Sequence, residues 1–201
     1  KFKNASLNSK EIKKDDIFFA IKGKNKDGNL FIKEAIKNGA SLVITDKLKD
    51  DKNQIRVKDT LKFLTEASSI VRENSKSKII GITGSCGKTS LKELMGKSLK
   101  SISNTTYSPK SFNNKFGVPL SLFNLRKKDD FGIFEVAMDR KNEINFLSNI
   151  IKPDVGIITN ISFAHIQNFK NIKGIALAKS EIIQNIKKDG YIVLNADDYF
   201  F

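Results

Sequence analysis

The sequence predicts an α/β protein: a small N-terminal α/β substrate-binding domain, then a P-loop domain on a mainly parallel sheet. Two observations carry this reading. Short apolar runs of strand length alternate with segments of helical period along both halves of the 201 residues. One such run enters a glycine-rich turn, Gly84-Ser85-Cys86-Gly87-Lys88-Thr89-Ser90, which opens a helix. Strands alternating with helices favour parallel pairing, with both faces of the sheet covered.

The elements follow in order. Residues 1–14 are polar with isolated apolar positions, a loop or short strand. Ile17-Phe18-Phe19-Ala20-Ile21 reads as a buried strand, and 22–29 as a turn-rich loop with two glycines. Leu30, Phe31, Ala35 and Ile36 recur at helical spacing, and Asn38-Gly39 supplies the stop. Residues 41–45 form a strand, 46–53 a charged loop and 54–57 another short strand. Asp59 can cap a helix running to about residue 74, with Leu61, Leu64, Ser68 and Val71 on one face. The polar stretch 73–77 is the domain boundary, giving domains 1–77 and 78–201. Strands are expected at 78–83, 102–106, 132–137, 154–161 and 190–194. Helices are expected at 88–100, 116–125, 143–150 and 172–187, the last with Ile172, Ile175, Ala176, Ile182, Ile183 and Ile186 as its apolar side. Both ends resemble cuts through a longer chain, and the second domain is expected to be incomplete at its C-terminal end.

Composition narrows the function classes. No apolar stretch approaches 18 residues, so no membrane span is expected. A single cysteine, Cys86, excludes an internal disulfide and fits a reducing cytoplasm. The net charge of +14 invites a nucleic-acid reading, but its distribution argues against one. Residues 1–77 and 78–201 each hold 18 basic and 11 acidic side chains, with no basic tail or block. Of the 36 basic residues 32 are lysine, whereas arginine is the better reader of phosphates and bases. The charge therefore favours anionic small substrates over specific nucleic-acid binding.

The chemistry centres on residues 79–90. Gly84 and Gly87 let the backbone turn its N–H groups toward an anion. The helix N-terminus adds partial positive charge, Lys88 a full one, and the Thr89 hydroxyl can take a magnesium position. The strict G-x-x-x-x-G-K-[ST] pattern fails, because its first glycine falls on Ile82. Glu135 stands inside an otherwise apolar strand run, which is costly for a carboxylate unless it is paired or binds a metal. Magnesium, held by few protein oxygens together with phosphates and water, suits it. His165, the one histidine, follows an apolar strand, where ligands of open α/β sheets sit. Lys179 falls near the apolar side of its helix. Cys86 lies in the loop with no catalytic base nearby and reads as filler.

Taken together these residues resemble the Mur ligase family, ATP-dependent amide-forming ligases of peptidoglycan precursor synthesis. Thr83-Gly84-Ser85-Cys86-Gly87-Lys88-Thr89 is similar to that family's ATP loop, shortened glycine spacing included. Phe134-Glu135-Val136, Ile158-Thr159-Asn160-Ile161 followed by Ala164-His165, and Ala178-Lys179-Ser180-Glu181 resemble its later motifs in order. Val193-Leu194-Asn195-Ala196-Asp197-Asp198 resembles the end of the middle-domain pattern. Asp16–Gly23 with Asn25, Asp27-Gly28 and Phe31 is similar to the uridine-nucleotide-binding domain of the later-acting members. Phe112-Asn113-Asn114 followed by Gly117-Val118-Pro119-Leu120 points to the member that adds D-Ala-D-Ala.

The resemblance implies ATP and Mg2+, two ions, as cofactors, with UDP-MurNAc-tripeptide and D-Ala-D-Ala as substrates. ATP would convert the tripeptide carboxylate to an acyl phosphate, which the dipeptide amine attacks. Gly84, Ser85, Cys86, Gly87, Lys88, Thr89, Ser90 and Asn160 would hold ATP. Thr89 and Glu135 would hold one magnesium, and His165 and Lys179 would serve the second. The matching lysine is carbamylated in the family, so carbamylated Lys179 is implied. Ser9, Lys10, Lys22, Asn25, Asp27, Asn113 and Asn114 would meet the acceptor. Departures from the pattern are Lys10 for an arginine, Asn29 for a histidine, and Ala137 and Asn142 for glycines. A monomer in the cytoplasm is expected, lacking the family's C-terminal domain and ligating negligibly by itself. Two alternatives stay open: another Mur-type ligase adding the third peptide residue, or a non-catalytic nucleotide-binding module.

Overall fold

The structure, a computed structural model, describes residues 2–23, 25–47, 52–164 and 166–200. It divides into two compact units, Lys1–Ser68 and Ser69–Phe201.

The first unit is built on four parallel strands: β1 (Ala5–Ser6), β2 (Asp16–Phe19), β3 (Ala40–Thr45) and β4 (Gln54–Arg56). They lie side by side in chain order, every pair parallel. β2 is buried along its whole length, as its unbroken apolar run requires. Helix α1 (Ile32–Lys37) packs Ile32 and Ala35 against Phe18, Ala20 and Val43. The expected helix over Leu30 and Phe31 is displaced. Asp27 accepts a hydrogen bond from the Asn29 amide at 2.9 Å and starts a 3-10 turn, Gly28–Phe31. That turn leaves Leu30 75% exposed, so the apolar face begins two residues later than spacing predicts. Asp59 does cap α2 (Thr60–Glu73), accepting from Lys62 N at 2.9 Å. The division between the units falls inside α2.

The second unit carries β5 (Lys78–Thr83), α3 (Lys88–Lys100), β6 (Thr105–Tyr107), α4 (Gly117–Phe123) and β7 (Phe131–Glu135). There follow α5 (Glu143–Ile151), β8 (Val155–Ile158), α6 (Ile172–Ser180) and β9 (Tyr191–Val193). Its five strands are all parallel, in the order β6-β7-β5-β8-β9. Ile80, Ile82 and Ile133 face Leu91, Met95 and Leu99 of α3. Ile79 and Phe134 face the opposite layer, with α4, α5 and α6 contributing Leu122, Leu147 and Ile175. The sheet is thus covered on both faces, as expected.

Further boundaries differ from expectation, and β8 ends at Ile158 rather than at residue 161. Residue 102 does not begin a strand: the amides of Ile102 and Ser103 bond back to Leu99 O, closing α3, and Ile102 is 80% exposed. The helix expected over 172–187 stops at Ser180 and continues as a 3-10 segment, Glu181–Asn185. There Glu181 accepts from the amides of Asn142 (2.8 Å) and Asn145 (3.0 Å) at the start of α5. That carboxylate satisfies helix-terminal donors and complements the helix dipole. Arg72, 2% exposed, is held by Ile151 O and by Asp154, whose carboxylate also receives Ile79 N. It fixes the entry into β5.

Candidate active site

Strand order reverses at β5, whose neighbours β7 and β8 both follow it in sequence. Loops leaving the carboxyl ends of these strands diverge there and open a crevice, the usual ligand position in open α/β sheets. The glycine loop stands in it. Gly84 has φ +142°, and a Cβ there would lie 1.9 Å from Thr159 Oγ1. Gly87 has φ +78° and precedes the first turn of α3. Both conformations are open to glycine and strained for other residues.

The segment after β8 braces this loop. Ser85 N donates to Asn160 O (2.9 Å), Cys86 N to Asn160 Oδ1 (3.0 Å), and Thr159 Oγ1 to Cys86 O (2.6 Å). Ser162 N donates to Ser85 Oγ at 2.8 Å. The Asn160 side chain thus holds the loop's shape. Lys88 Nζ spans the loop, donating to Gly84 O (2.8 Å) and Ser85 O (3.1 Å).

Glu135 ends β7 beside Ile82 of β5 and is 1% exposed. Its Oε2 accepts from Thr89 Oγ1 at 2.7 Å, and its Oε1 from Asn113 Nδ2 at 2.8 Å. Its partners are neutral, so no cation offsets the carboxylate within this set. Thr89 and Glu135 offer adjacent hard oxygens at the mouth of a phosphate loop, a donor set that fits Mg2+. Among the described residues no three His, Cys, Asp or Glu side chains gather into a metal cage.

Lys179 sits on the last turn of α6, 2% exposed. Burial, and then the nearby charge of Lys88, lower its pKa from 10.5 to about 8, with Cys86 acting weakly in the other direction. His165 lies outside the described residues. Cys86 and Ser90 are exposed at the loop's rim. Beside Lys88 and Thr89 opens a cleft of about 690 Å³, lined also by Asn113, Glu135, Met138 and Phe146.

The other expected acceptor residues are more scattered. Asn114 Oδ1 accepts from the amides of Phe116 and Gly117, both at 3.0 Å, and so caps α4. In the first unit Ser9 is buried and its hydroxyl bonds Glu34, while Lys10, Lys22 and Asn25 are exposed. Asp27 pairs with Lys47 at 2.9 Å. Lys47, then the Asn29 amides, lower its pKa to about 2. Asn29 is the hub there, bonding Asp27, Asp46 and Thr45 at the carboxyl end of β3.

Sequence reasoning named Thr159 and Glu181 within motifs but gave them no role, and it missed the contacts of Ser108 and Lys92. Ser108 Oγ accepts from Glu135 N at 3.3 Å. Lys92, fully buried, had a legible signal: it lies four residues after Lys88, on the same helix face.

A strand, a glycine loop and a helix opening on Lys-Thr, set at the reversal point of a parallel sheet, define a phosphate-loop nucleotide-binding fold. Comparison with known proteins gives the family. Residues 82–201 match the Mur ligase middle domain, and residues 1–78 the Mur ligase family catalytic domain. The chain belongs to the Mur ligase family. A relative from Buchnera aphidicola, named UDP-N-acetylmuramoyl-tripeptide–D-alanyl-D-alanine ligase, is 36% identical over 196 residues, 97% of this chain and 43% of that protein. Among solved structures, MurF from Acinetobacter baumannii matches with TM-score 0.86 at 33% identity, covering 99% of this chain and 44% of that one. MurF ligase from Thermotoga maritima, in complex with ADP, matches with TM-score 0.81 at 33% identity, covering 97% and 46%. The chain spans less than half the length of these relatives.

Proposed function

We propose that this chain supplies the acceptor-nucleotide and ATP-binding parts of a ligase joining D-Ala-D-Ala to UDP-MurNAc-tripeptide. The observation that carries the reading is the Thr89–Glu135 contact of 2.7 Å at the mouth of the glycine loop. It sets a magnesium-type oxygen pair against a phosphate-type cradle. The name of the Buchnera aphidicola relative supplies the substrates.

In the reaction, the terminal carboxylate of the tripeptide attacks the γ-phosphorus of ATP, giving an acyl phosphate and ADP. The dipeptide amine then attacks the acyl carbon, loses a proton, and inorganic phosphate leaves. Loop amides from Gly84 to Thr89 orient the phosphates. Lys88 releases the carbonyls of Gly84 and Ser85 and neutralises charge on the transferring group. Thr89 and Glu135 would hold one magnesium, which neutralises phosphate charge when bound. Lys179 and His165 would serve the second. With its pKa near 8, Lys179 presents a neutral amine more readily than an exposed lysine. Addition of that amine to carbon dioxide, with loss of one proton, yields a carbamate ligand. The first unit, with Ser9, Lys10, Lys22, Asn25 and Asp27, takes the uridine nucleotide; Asn113 and Asn114 meet the peptide. The same reading assigns the work to the cytoplasm, in a monomer.

The test is phosphate release by the full-length protein with ATP, Mg2+ and paired substrates. Release with UDP-MurNAc-tripeptide and D-Ala-D-Ala is expected. Release with UDP-MurNAc-dipeptide and a free diamino acid instead would identify a ligase for the third residue and overturn the reading.

A further inference from the structure

We propose that Lys92 is a positioning residue that ties the nucleotide-binding helix to the loop carrying Asn113 and so orients Glu135. The proposal rests on the reading of Thr89 and Glu135 as the magnesium side of a nucleotide site.

Lys92 is 0% exposed. Lysine is almost never fully buried unless it is paired, because desolvating an ammonium is costly. Its neighbours Leu91, Met95 and Leu99 are the apolar residues that pack α3 on the sheet, and an aliphatic side chain would suit this place better for packing alone. The ammonium instead bonds Lys110 O and lies 3.0 Å from Glu93 Oε1.

Lys110 has φ +50°, a left-handed conformation rare outside glycine. It turns residues 108–114 back toward the end of β7. Ser108 N bonds Ile133 O at 3.0 Å, fixing the start of the loop. Ala137 N bonds Asn113 O at 2.9 Å, fixing its end. Between these lies the Lys92 tether, and it comes from α3. The same helix face bears Thr89, three residues before, which bonds Glu135 Oε2. Asn113, on the tethered loop, bonds Glu135 Oε1. One helix thus controls both oxygens of the carboxylate, one through Thr89 and the other through Lys92, the loop and Asn113. Groups that orient a metal-binding carboxylate affect metal affinity without touching the metal.

The experiment compares wild type, Lys92→Met, Lys92→Arg, Asn113→Ala and the double variant Lys92→Met/Asn113→Ala in the full-length protein. Lys92→Met is expected to raise the Mg2+ concentration for half-maximal ATP binding about tenfold. Its ATP affinity in excess EDTA should stay within about twofold, because the tether acts on the metal side. Amide hydrogen exchange of Ser111–Asn113 in the metal-free protein should speed up about tenfold, and Lys92→Arg should restore most of both effects. In the Asn113→Ala background, Lys92→Met should change the Mg2+ requirement by less than about twofold. An unchanged Mg2+ requirement with only a lowered melting temperature overturns the proposal, as does a full shift in the Asn113→Ala background. If Lys92→Met gives no cooperative unfolding transition, Lys92→Gln takes its place, with a shift of about threefold expected and no shift overturning the proposal. If wild type binds no ATP, the nucleotide site itself fails; the metal-free exchange rates still decide whether the tether holds the loop.

Discussion

The two units share an architecture and differ in strand order. In the first, β1 to β4 lie in chain order. In the second, the order reverses at β5. Only a reversal sends successive connections to opposite faces and leaves a crevice at the strand ends. The polar residues follow suit. Asn29, Asp27, Asp46, Thr45 and Lys47 satisfy one another at the end of β3. In the glycine loop the amides of Ser85 and Cys86 are taken by Asn160, and Glu135 is met by the neutral Thr89 and Asn113. One cluster pairs its carboxylates with a lysine and an amide; in the other a buried carboxylate faces the crevice beside Lys88 and Thr89. The same α/β chemistry gives a scaffold or a site according to topology.

Substitutions can separate the two. The largest effect is expected at Lys88. Lys88→Ala should lower kcat/KM for phosphate release by about 10²–10³-fold, the scale of losing one donor to developing charge. Urea unfolding should scarcely change, and a loss of activity below tenfold would break the assignment. Gly84→Ala comes next. It combines φ +142° with a contact on Thr159 Oγ1 and should destabilise the second unit by about 2–3 kcal/mol, read from urea unfolding. Asn29→Ala should cost about 1–2 kcal/mol in the first unit, by leaving Asp46 and Thr45 short of a partner. ATP binding should be unchanged by it; a weakened ATP affinity would erase the division of labour.

Acidity sharpens the contrast further, with smaller effects. Asp27 has its pKa lowered from 3.8 to about 2, so its contribution is present above pH 3.8 and lost as pH falls toward 2. Asp27→Asn should flatten the acid limb of the first unit's melting temperature. Lys179 has its pKa lowered from 10.5 to about 8. Between those values the unfolded chain binds the extra proton, so stability rises with pH through that window. Lys179→Met should remove that rise, and carbamate formation followed with 13C-carbonate should increase as pH passes about 8.

Much of this was legible in the sequence because it was written in local pattern. The glycine loop, the strand run around Glu135 and the alternation of elements depend on neighbours in the chain, and the structure has them where periodicity predicts. What was not legible depends on distant partners. Leu30 is the local exception: it left its helix because Asp27, three residues before it, capped a turn. The helix expected to residue 187 broke where Glu181 met the amides of α5, 36 residues or more away in sequence. Asn160 reads from its motif as an ATP contact, and its bracing of Cys86 across 74 residues could not be read there. Lys92 showed in the sequence only its spacing from Lys88; its burial becomes intelligible only with its carbonyl partner, Lys110 O.

The point that decides the reading is that the phosphates of ATP bind at the reversal point of the second sheet, whereas the first unit takes the uridine nucleotide. Backbone amide NMR shifts on adding ADP and Mg2+ test it most directly. Large shifts are expected at Gly84 to Thr89 and at Glu135, with the Asn29–Asp46 cluster unmoved. Shifts concentrated around Asn29 and Asp27, with the glycine loop silent, would contradict it.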